Sequence, residues 1–418
     1  MTQTYRIEFL GCKANQSDAL SYGGLLQRAG WEEAAEGMPA GLYVIQTCTV
    51  TMSADAQGRQ LVRRLKREHP QAKILMTGCY AERAEQELRN IPGVDYVIGN
   101  LNPRKLELMS EVAGRAVEEP FSDFPMPAVT MRTRPYIKIQ EGCDARCSYC
   151  VIPEVRGKSR SLPVEEVIRR VELYRDSGYR EMILTGISLG AYGKDLSPKR
   201  DLSFLMRKLD SMEGNFKIRI SSLEPEEISE EFIEVFTSST RFQPHLHLPL
   251  QSASDKVLKR MRRQYLFHRY DSIVGRLLDR LPDLNLGTDL LTGFPEEDQR
   301  AYEETKSYAE RAPFGYMHVF PFSPRPDTPA AAYPCSATHA ERSRRAAELR
   351  AISRSKNRSY RQRFLGRSRS ALVLHESCIA LTDNYIQVRL RDPQPAAETV
   401  SVKIDSVEAD YTLGSVLH

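Results

Sequence analysis

No stretch of this sequence approaches the roughly 20 consecutive apolar residues of a membrane span, and its start, Met1-Thr-Gln-Thr-Tyr-Arg-Ile-Glu-Phe-Leu10, lacks the apolar core of a signal peptide. Both absences predict a cytoplasmic protein with no membrane partner. A strong charge of one sign is missing too: 59 basic residues face 55 acidic ones, a net charge of +4. Any polyanion footprint must therefore be local. Cysteine is sparse, with eight in 418 residues. Without an export signal, so few thiols point to metal binding or catalysis in a reducing compartment rather than to disulfides. The length suits two or three domains of about 100–200 residues each.

Three of those cysteines crowd into Gln140-Glu-Gly-Cys-Asp-Ala-Arg-Cys-Ser-Tyr-Cys150, where Cys143, Cys147 and Cys150 are spaced C-x3-C-x2-C. Three thiolates can hold three irons of a [4Fe–4S] cluster and leave the fourth iron open to a substrate or cofactor. A structural zinc site would close its metal with four ligands at pair-like spacings. The next histidine is His245, far along the chain.

Residues 1–115 alternate strand-like runs (Tyr5–Leu10, Leu42–Gln46, Lys73–Thr77, Tyr96–Ile98) with helix-length segments such as Ser17–Ala29 and Asp55–Glu68. The pattern predicts an α/β domain with a parallel sheet. Cys12, Cys48 and Cys79 each follow one of the first three strands. Any one of them alone reads as a small buried residue. Together they lie on the rim where open parallel sheets bind ligands, which favours a second three-thiolate cluster.

With an aromatic residue, Tyr149, directly before Cys150, the C-x3-C-x2-C run resembles the radical S-adenosylmethionine (radical SAM) enzymes, whose open iron chelates that cofactor. The resemblance widens in Leu10-Gly-Cys-Lys-Ala-Asn-Gln16, in Gln46-Thr-Cys-Thr-Val-Thr51 with Ala54-Asp55, and in Thr77-Gly-Cys-Tyr-Ala81. These runs look like the amino-terminal domain of the methylthiotransferases, radical SAM enzymes with two [4Fe–4S] clusters. Among their branches they are most similar to the one acting on threonylcarbamoyladenosine in tRNA. Ala14 stands where that branch usually has valine, and Gln46 where it has asparagine. Neither position is a ligand.

Residues 116–133 carry scattered prolines and acids without period and read as a linker. From 134 to 338 six strand-like runs (Tyr136–Gln140, Glu181–Thr185, Lys217–Ser221, His245–Pro249, Asn285–Leu290, Met317–Phe320) alternate with helices such as Val164–Asp176, Leu202–Met212 and Arg300–Arg311. They predict a partial (β/α)6 barrel of the TIM type, with its chemistry at the carboxyl ends of the strands. The loops there, Thr185–Gly190, Ser221–Pro225, His247–Ser254 and Thr288–Pro295, resemble the family's cofactor-facing loops. That resemblance implies S-adenosylmethionine contacts at Tyr149, Gly186, Ser222, Glu224 and Gln251, through close backbone approach and through hydrogen bonds. His245 and His247 alternate like a metal pair, but no other ligand completes a set, so they are expected to line the barrel. Asp327 replaces the family's glycine and would have to enter the left-handed region itself.

Residues 339–365 form a basic helical segment bearing Arg342, Arg344, Arg345, Arg350, Arg354, Lys356, Arg358, Arg361 and Arg363, a candidate phosphate grip. Residues 366–418 hold the β-like runs Ala371–His375, Tyr385–Leu390 and Val400–Ile404 and resemble TRAM, a small RNA-binding β-barrel. Cys335 and Cys378 fit neither thiol set and read as structural.

The resemblance implies methylthiolation of C2 of threonylcarbamoyladenosine in tRNA, using two [4Fe–4S] clusters and S-adenosyl-L-methionine. A reductant protein and a sulfur donor are the further partners it implies. No residue is singled out as an acid, base or nucleophile. Rival readings are a methylthiotransferase for isopentenyladenosine tRNA or for ribosomal protein S12, and a non-catalytic iron–sulfur or zinc RNA-binding protein.

Overall fold

The computed structural model describes residues 3–35, 37–115, 133–335, 337–375 and 378–417. The expected linker lies, Thr133 apart, outside the described residues. The chain divides into two compact units. One holds the amino-terminal residues together with Lys138–Leu162 and Ser323–Ala331. The other holds the short run ending at Ile137, Pro163–Phe322, and everything from Ala332 onward.

In the first unit a parallel sheet runs in the order Glu32–Glu33, Thr4–Phe9, Leu42–Thr47, Lys73–Gly78, Tyr96–Gly99. Its central strands are apolar on both faces because helices cover both. Leu42 and Val44 join Tyr22, Leu26 and Met109 in one core. Tyr43 and Ile45 join Val62, Leu65 and Tyr80 in the other. The helices begin earlier than their apolar period suggests, at Lys13 and at Met52. At the second of these, the Thr51 hydroxyl caps the helix by accepting from the amide of Ala54. Because Thr4–Phe9 and Leu42–Thr47 are neighbours while the chain winds outward from each, the sheet has a switch point between them, where a crevice opens at the strands' carboxyl ends.

In the second unit Tyr136–Lys138, Glu181–Thr185 and Lys217–Ile220 form one sheet, and His245–His247, Asn285–Thr292 and Tyr316–Pro321 form another. Bridges from Ile218 to Phe242 and from Ser222 to His247 join them. The result is the expected six-stranded partial barrel, with helices such as Val164–Asp176 and Gln299–Arg311 between its strands.

The helix His339–Gln362 is less solvated than its charge suggests. Ala346, Leu349 and Tyr360 are buried, and several arginines are consumed internally. Arg345 pairs with Glu297 at 2.8 Å, and Arg361 donates to the carbonyls of Tyr411 at 2.8 Å and Ala409 at 2.6 Å. Beyond it a closed barrel follows in the order Ser368–Val373, Ile379–Thr382, Gln387–Leu390, Thr412–Leu417, Thr399–Val407. Two of these five strands, Ile379–Thr382 and Thr412–Leu417, go beyond the three runs read in the sequence. The first is only four residues long and the second is broken by Gly414, so neither shows a clear alternation. A turn of this barrel meets the central strands: Arg219 donates to the Asp383 carbonyl at 3.1 Å and Asn285 to the Asn384 carbonyl at 2.9 Å. The Tyr385 ring stacks on His245 at 4.0 Å. Asp327 does take a left-handed conformation, with φ of 67°. Cys335 and Cys378 are exposed. Among the described residues no helix is long and apolar enough to cross a membrane.

Candidate metal centres

Cys12 caps the helix Lys13–Arg28, Cys48 follows the strand Leu42–Thr47, and Cys79 opens the helix Cys79–Arg83. All three sit at the rim of the first unit's sheet, flanking the switch point. Two features draw them together. Asn15 donates to the carbonyls of Leu10 at 2.8 Å and Thr47 at 2.9 Å, tying the first two strand ends to each other. Gly11, with φ of +96°, passes so near Cys48 that a Cβ on it would lie 2.7 Å from the Cys48 Cβ. Asp55, quoted above from the sequence, anchors the next turn: it accepts from Thr49 at 2.7 Å and pairs with Arg83 at 2.9 Å and Arg325 at 2.5 Å.

Burial pushes the Cys48 thiol up to about 12, and the nearby charges that Cys79 and Cys12 would carry push the same way. Burial raises the Cys79 thiol too, with Arg156 working against it. A metal that takes these sulfurs as thiolates must therefore release protons. Gln46 is completely buried beside this rim, and neither its Nε2 nor its Oε1 has a hydrogen-bond partner. An orphaned amide next to three thiols fits a polar inorganic group held there, since buried polar atoms are otherwise almost always paired.

The second set lies on a loop of the same unit. Gln140–Glu141 pairs antiparallel with Arg160–Ser161 and closes the loop at its base. Within it the amide of Cys143 donates to the Gly157 carbonyl at 3.0 Å and that of Cys150 to the Cys147 carbonyl at 3.2 Å. All three thiols are partly buried, and Cys150 Sγ accepts from the amide of Ile152 at 3.5 Å.

Between the two sets runs a buried ionic network that the sequence reading missed. Arg156, 2 % exposed, donates from Nε to Cys79 Sγ at 3.2 Å. Its Nη1 pairs with Asp18 at 2.8 Å and Glu141 at 3.0 Å, and its Nη2 bonds the Asn15 side chain. Lys138 pairs with Glu141 at 2.7 Å and also with Asp18. Burial would raise the Glu141 carboxyl, but Arg156 and Lys138 outweigh it and hold the group below its ordinary range. The one signal in the sequence was a charged residue closing the short, otherwise largely apolar turn Ile152–Arg156.

The expected cofactor contacts fall where strands end. Gly186 follows Glu181–Thr185, Ser222 follows Lys217–Ile220, and Glu224 caps the turn Pro225–Glu227 and pairs with Arg263. Gln251, with φ of 66°, bridges to Leu290. Those four share the carboxyl-end rim of the barrel strands; Tyr149 lies on the cysteine loop.

The histidine expectation needs correction. His247, Asp289 and His318 are the one group of His, Cys, Asp and Glu ligand atoms lying within 4.8 Å of one another among the described residues. His247 therefore does have a completing set, supplied by two later strands.

Residues 4–99 match the uncharacterized protein family UPF0004, and residues 137–309 match the radical SAM superfamily. The chain is 34 % identical to a threonylcarbamoyladenosine tRNA methylthiotransferase of Bacillus subtilis, over 98 % of this chain and 94 % of that one. It is 33 % identical to the enzyme of the same name from Aquifex aeolicus, over 95 % and 99 %. A tRNA-2-methylthio-N(6)-dimethylallyladenosine synthase of Acidothermus cellulolyticus is 31 % identical over 79 % of this chain and 69 % of its own. Among solved structures, a cobalamin-binding radical S-adenosylmethionine methyltransferase from Kitasatospora setae superposes with a TM-score of 0.57 at 13 % identity, covering 79 % of this chain and 77 % of that one. That likeness is one of fold.

Proposed function

From a chain that belongs to the radical SAM tRNA methylthiotransferases, enzymes that use S-adenosylmethionine and [4Fe–4S] clusters, we propose an enzyme that methylthiolates C2 of threonylcarbamoyladenosine beside the anticodon of tRNA. The observation that carries this reading is the pair of three-thiol sets in one compact unit, Cys12/Cys48/Cys79 and Cys143/Cys147/Cys150. Each would hold a cluster with one iron left without a protein ligand. The Bacillus subtilis and Aquifex aeolicus relatives named for threonylcarbamoyladenosine align at higher identity and over more of their own length than the Acidothermus cellulolyticus one named for dimethylallyladenosine.

Cys143, Cys147 and Cys150 would hold a cluster that, with S-adenosylmethionine, would supply radical chemistry able to reach carbon centres that acid–base side chains cannot. The chain's own residues position and exclude. Gly186, Ser222, Glu224 and Gln251 offer a backbone approach and polar groups for the cofactor's ribose, amino and carboxylate, and Tyr149, beside Cys150, is a further proposed contact. Arg156 holds Cys79 and the cysteine loop in one register. The exposed Arg354 and Arg358, with the carboxy-terminal barrel in the role of a TRAM module, grip tRNA phosphates. A reductant protein and a sulfur donor complete the reaction, which runs in the cytoplasm where tRNA is found.

Nucleoside mass spectrometry of tRNA from cells with and without the gene tests the reading. Loss of 2-methylthio-N6-threonylcarbamoyladenosine, with its unthiolated precursor accumulating, is the expected result. Loss of the isopentenyl analogue instead would reassign the substrate, and an altered ribosomal protein S12 with normal tRNA would overturn the reading.

A further inference from the structure

We infer that His247, Asp289 and His318 form a divalent transition-metal site, separate from both thiol sets. The three residues stand on three adjacent parallel strands of one sheet. Asp289 lies opposite His318 in the register, and His247 lies opposite Gly287, two residues before Asp289 and on the same face. Side chains at these positions converge. His247 Nε2 is 3.0 Å and His318 Nδ1 3.2 Å from the same carboxylate oxygen of Asp289. Such separations are those of neighbouring ligand atoms that each lie about 2.0–2.2 Å from one ion.

His247 supplies the independent sign. The residue is 6 % exposed, and its Nε2 lies 3.0 Å from that oxygen without meeting the geometry of an N–H···O bond. Its ring proton can sit on the other nitrogen. The Tyr316 hydroxyl lies 3.2 Å from His247 Nδ1 and 2.8 Å from His245 Nε2, and it has one proton to give. If that proton goes to His245, at the shorter distance, then His247 Nδ1–H donates to the hydroxyl and leaves a bare lone pair on Nε2. A buried lone pair facing a carboxylate is unfavourable with nothing between them, and a cation turns it into a bond. An imidazole oriented through its other nitrogen is the usual arrangement behind a metal ligand. The packing permits it because residue 287 is glycine: a Cβ there would lie 2.0 Å from the Tyr316 ring.

Two imidazoles and one carboxylate suit a divalent transition metal and leave coordination positions free. His318 is exposed and, with Tyr316, lines a cavity of about 450 Å³ whose walls include Asn285, Tyr385, Arg134 and Arg361. The cavity gives the ion a way in and leaves room for a further ligand.

Manganese(II) titrated into the full, cluster-loaded chain provides the test, because the free ion gives a room-temperature electron paramagnetic resonance signal that bound ion does not, and iron–sulfur clusters are silent at that temperature. One equivalent should bind to the parent. Asp289→Asn and His318→Gln should each weaken binding at least about tenfold, with iron content and circular dichroism unchanged. His318 is exposed, so its variant does not threaten the fold. No manganese bound by the parent, or equal binding by parent and both variants, overturns the site and leaves a His–Asp–His cluster that holds no ion.

Discussion

The two thiol sets are built in opposite ways. Cys143, Cys147 and Cys150 lie within eight residues on a loop closed by a two-stranded ribbon. Cys12, Cys48 and Cys79 come from three separate strands and meet only because the sheet folds. The local set needs little beyond its own loop. The dispersed set is only as good as the register of the strands beneath it, and so it depends on Asn15, Gly11 and Asp55. The difference predicts which damage each set survives.

The largest effect should come from Cys147→Ala, which strikes the set proposed to hold the radical-generating cluster. Release of 5′-deoxyadenosine and formation of methylthio product should both fall to background in an anaerobic assay. Cys48→Ala should separate the two: 5′-deoxyadenosine is still released, no methylthio product forms, and iron drops from about eight to about four per chain. Full methylthiolation by that variant would reduce Cys48 to a buried structural thiol and end the comparison.

Arg156→Leu tests how independent the sets are, since this side chain touches a ligand of one and braces the loop of the other. Removing one partner of a buried ion cluster costs about 3–5 kcal/mol, readable by denaturant titration, and both sets should lose iron. Loss confined to one would make the sets more separate than the network implies. The pH dependence follows from Glu141, whose carboxyl is held below its ordinary value in the folded chain. Its contribution is present above the unfolded carboxylate value, near 4.5, and is lost as pH falls through the lower folded value. The parent should therefore lose stability on acidification through that window, and Arg156→Leu should show a flatter profile.

The smallest effect is expected from Gly11→Ala. A side chain at φ of +96° is strained and would press on Cys48, costing on the order of 1–3 kcal/mol. Iron should be depleted at the dispersed set while 5′-deoxyadenosine release continues, a partial copy of Cys48→Ala.

The contrast also explains what could be read in advance. Strand ends came within about two residues of the observed bounds in the first unit because Leu42–Thr47 and Lys73–Gly78 are buried on both faces and the runs are flanked by turn residues. The cysteines of both sets were visible, one by spacing and the other by its place after each strand. Arg156 was not, because its partners Asp18, Glu141 and Cys79 are distant in sequence and only tertiary packing unites them. Asp289 and His318 were hidden for the same reason. A single polar residue inside an apolar strand carries no sign of the neighbour opposite it, and the reading stopped at His245 and His247. The basic helix was legible in charge but not in use, since Arg345 and Arg361 spend theirs inside the fold.

The turn Thr382–Tyr385 has a consequence for how such a chain can be inherited. Arg219 is fully buried; besides pairing with Glu181 it donates to the Asp383 and Thr382 carbonyls of that turn, while His245 has the Tyr385 ring as its stacking surface. An ancestor without the terminal barrel would have had to leave a guanidinium short of acceptors or hold something else at 219. The barrel is therefore not a tag that can be trimmed or grafted at will. Swapping it for a relative's should succeed only when residues 219, 245 and 285 travel with it, so that a genealogy drawn from the terminal barrel and one drawn from the central strands should have the same branches.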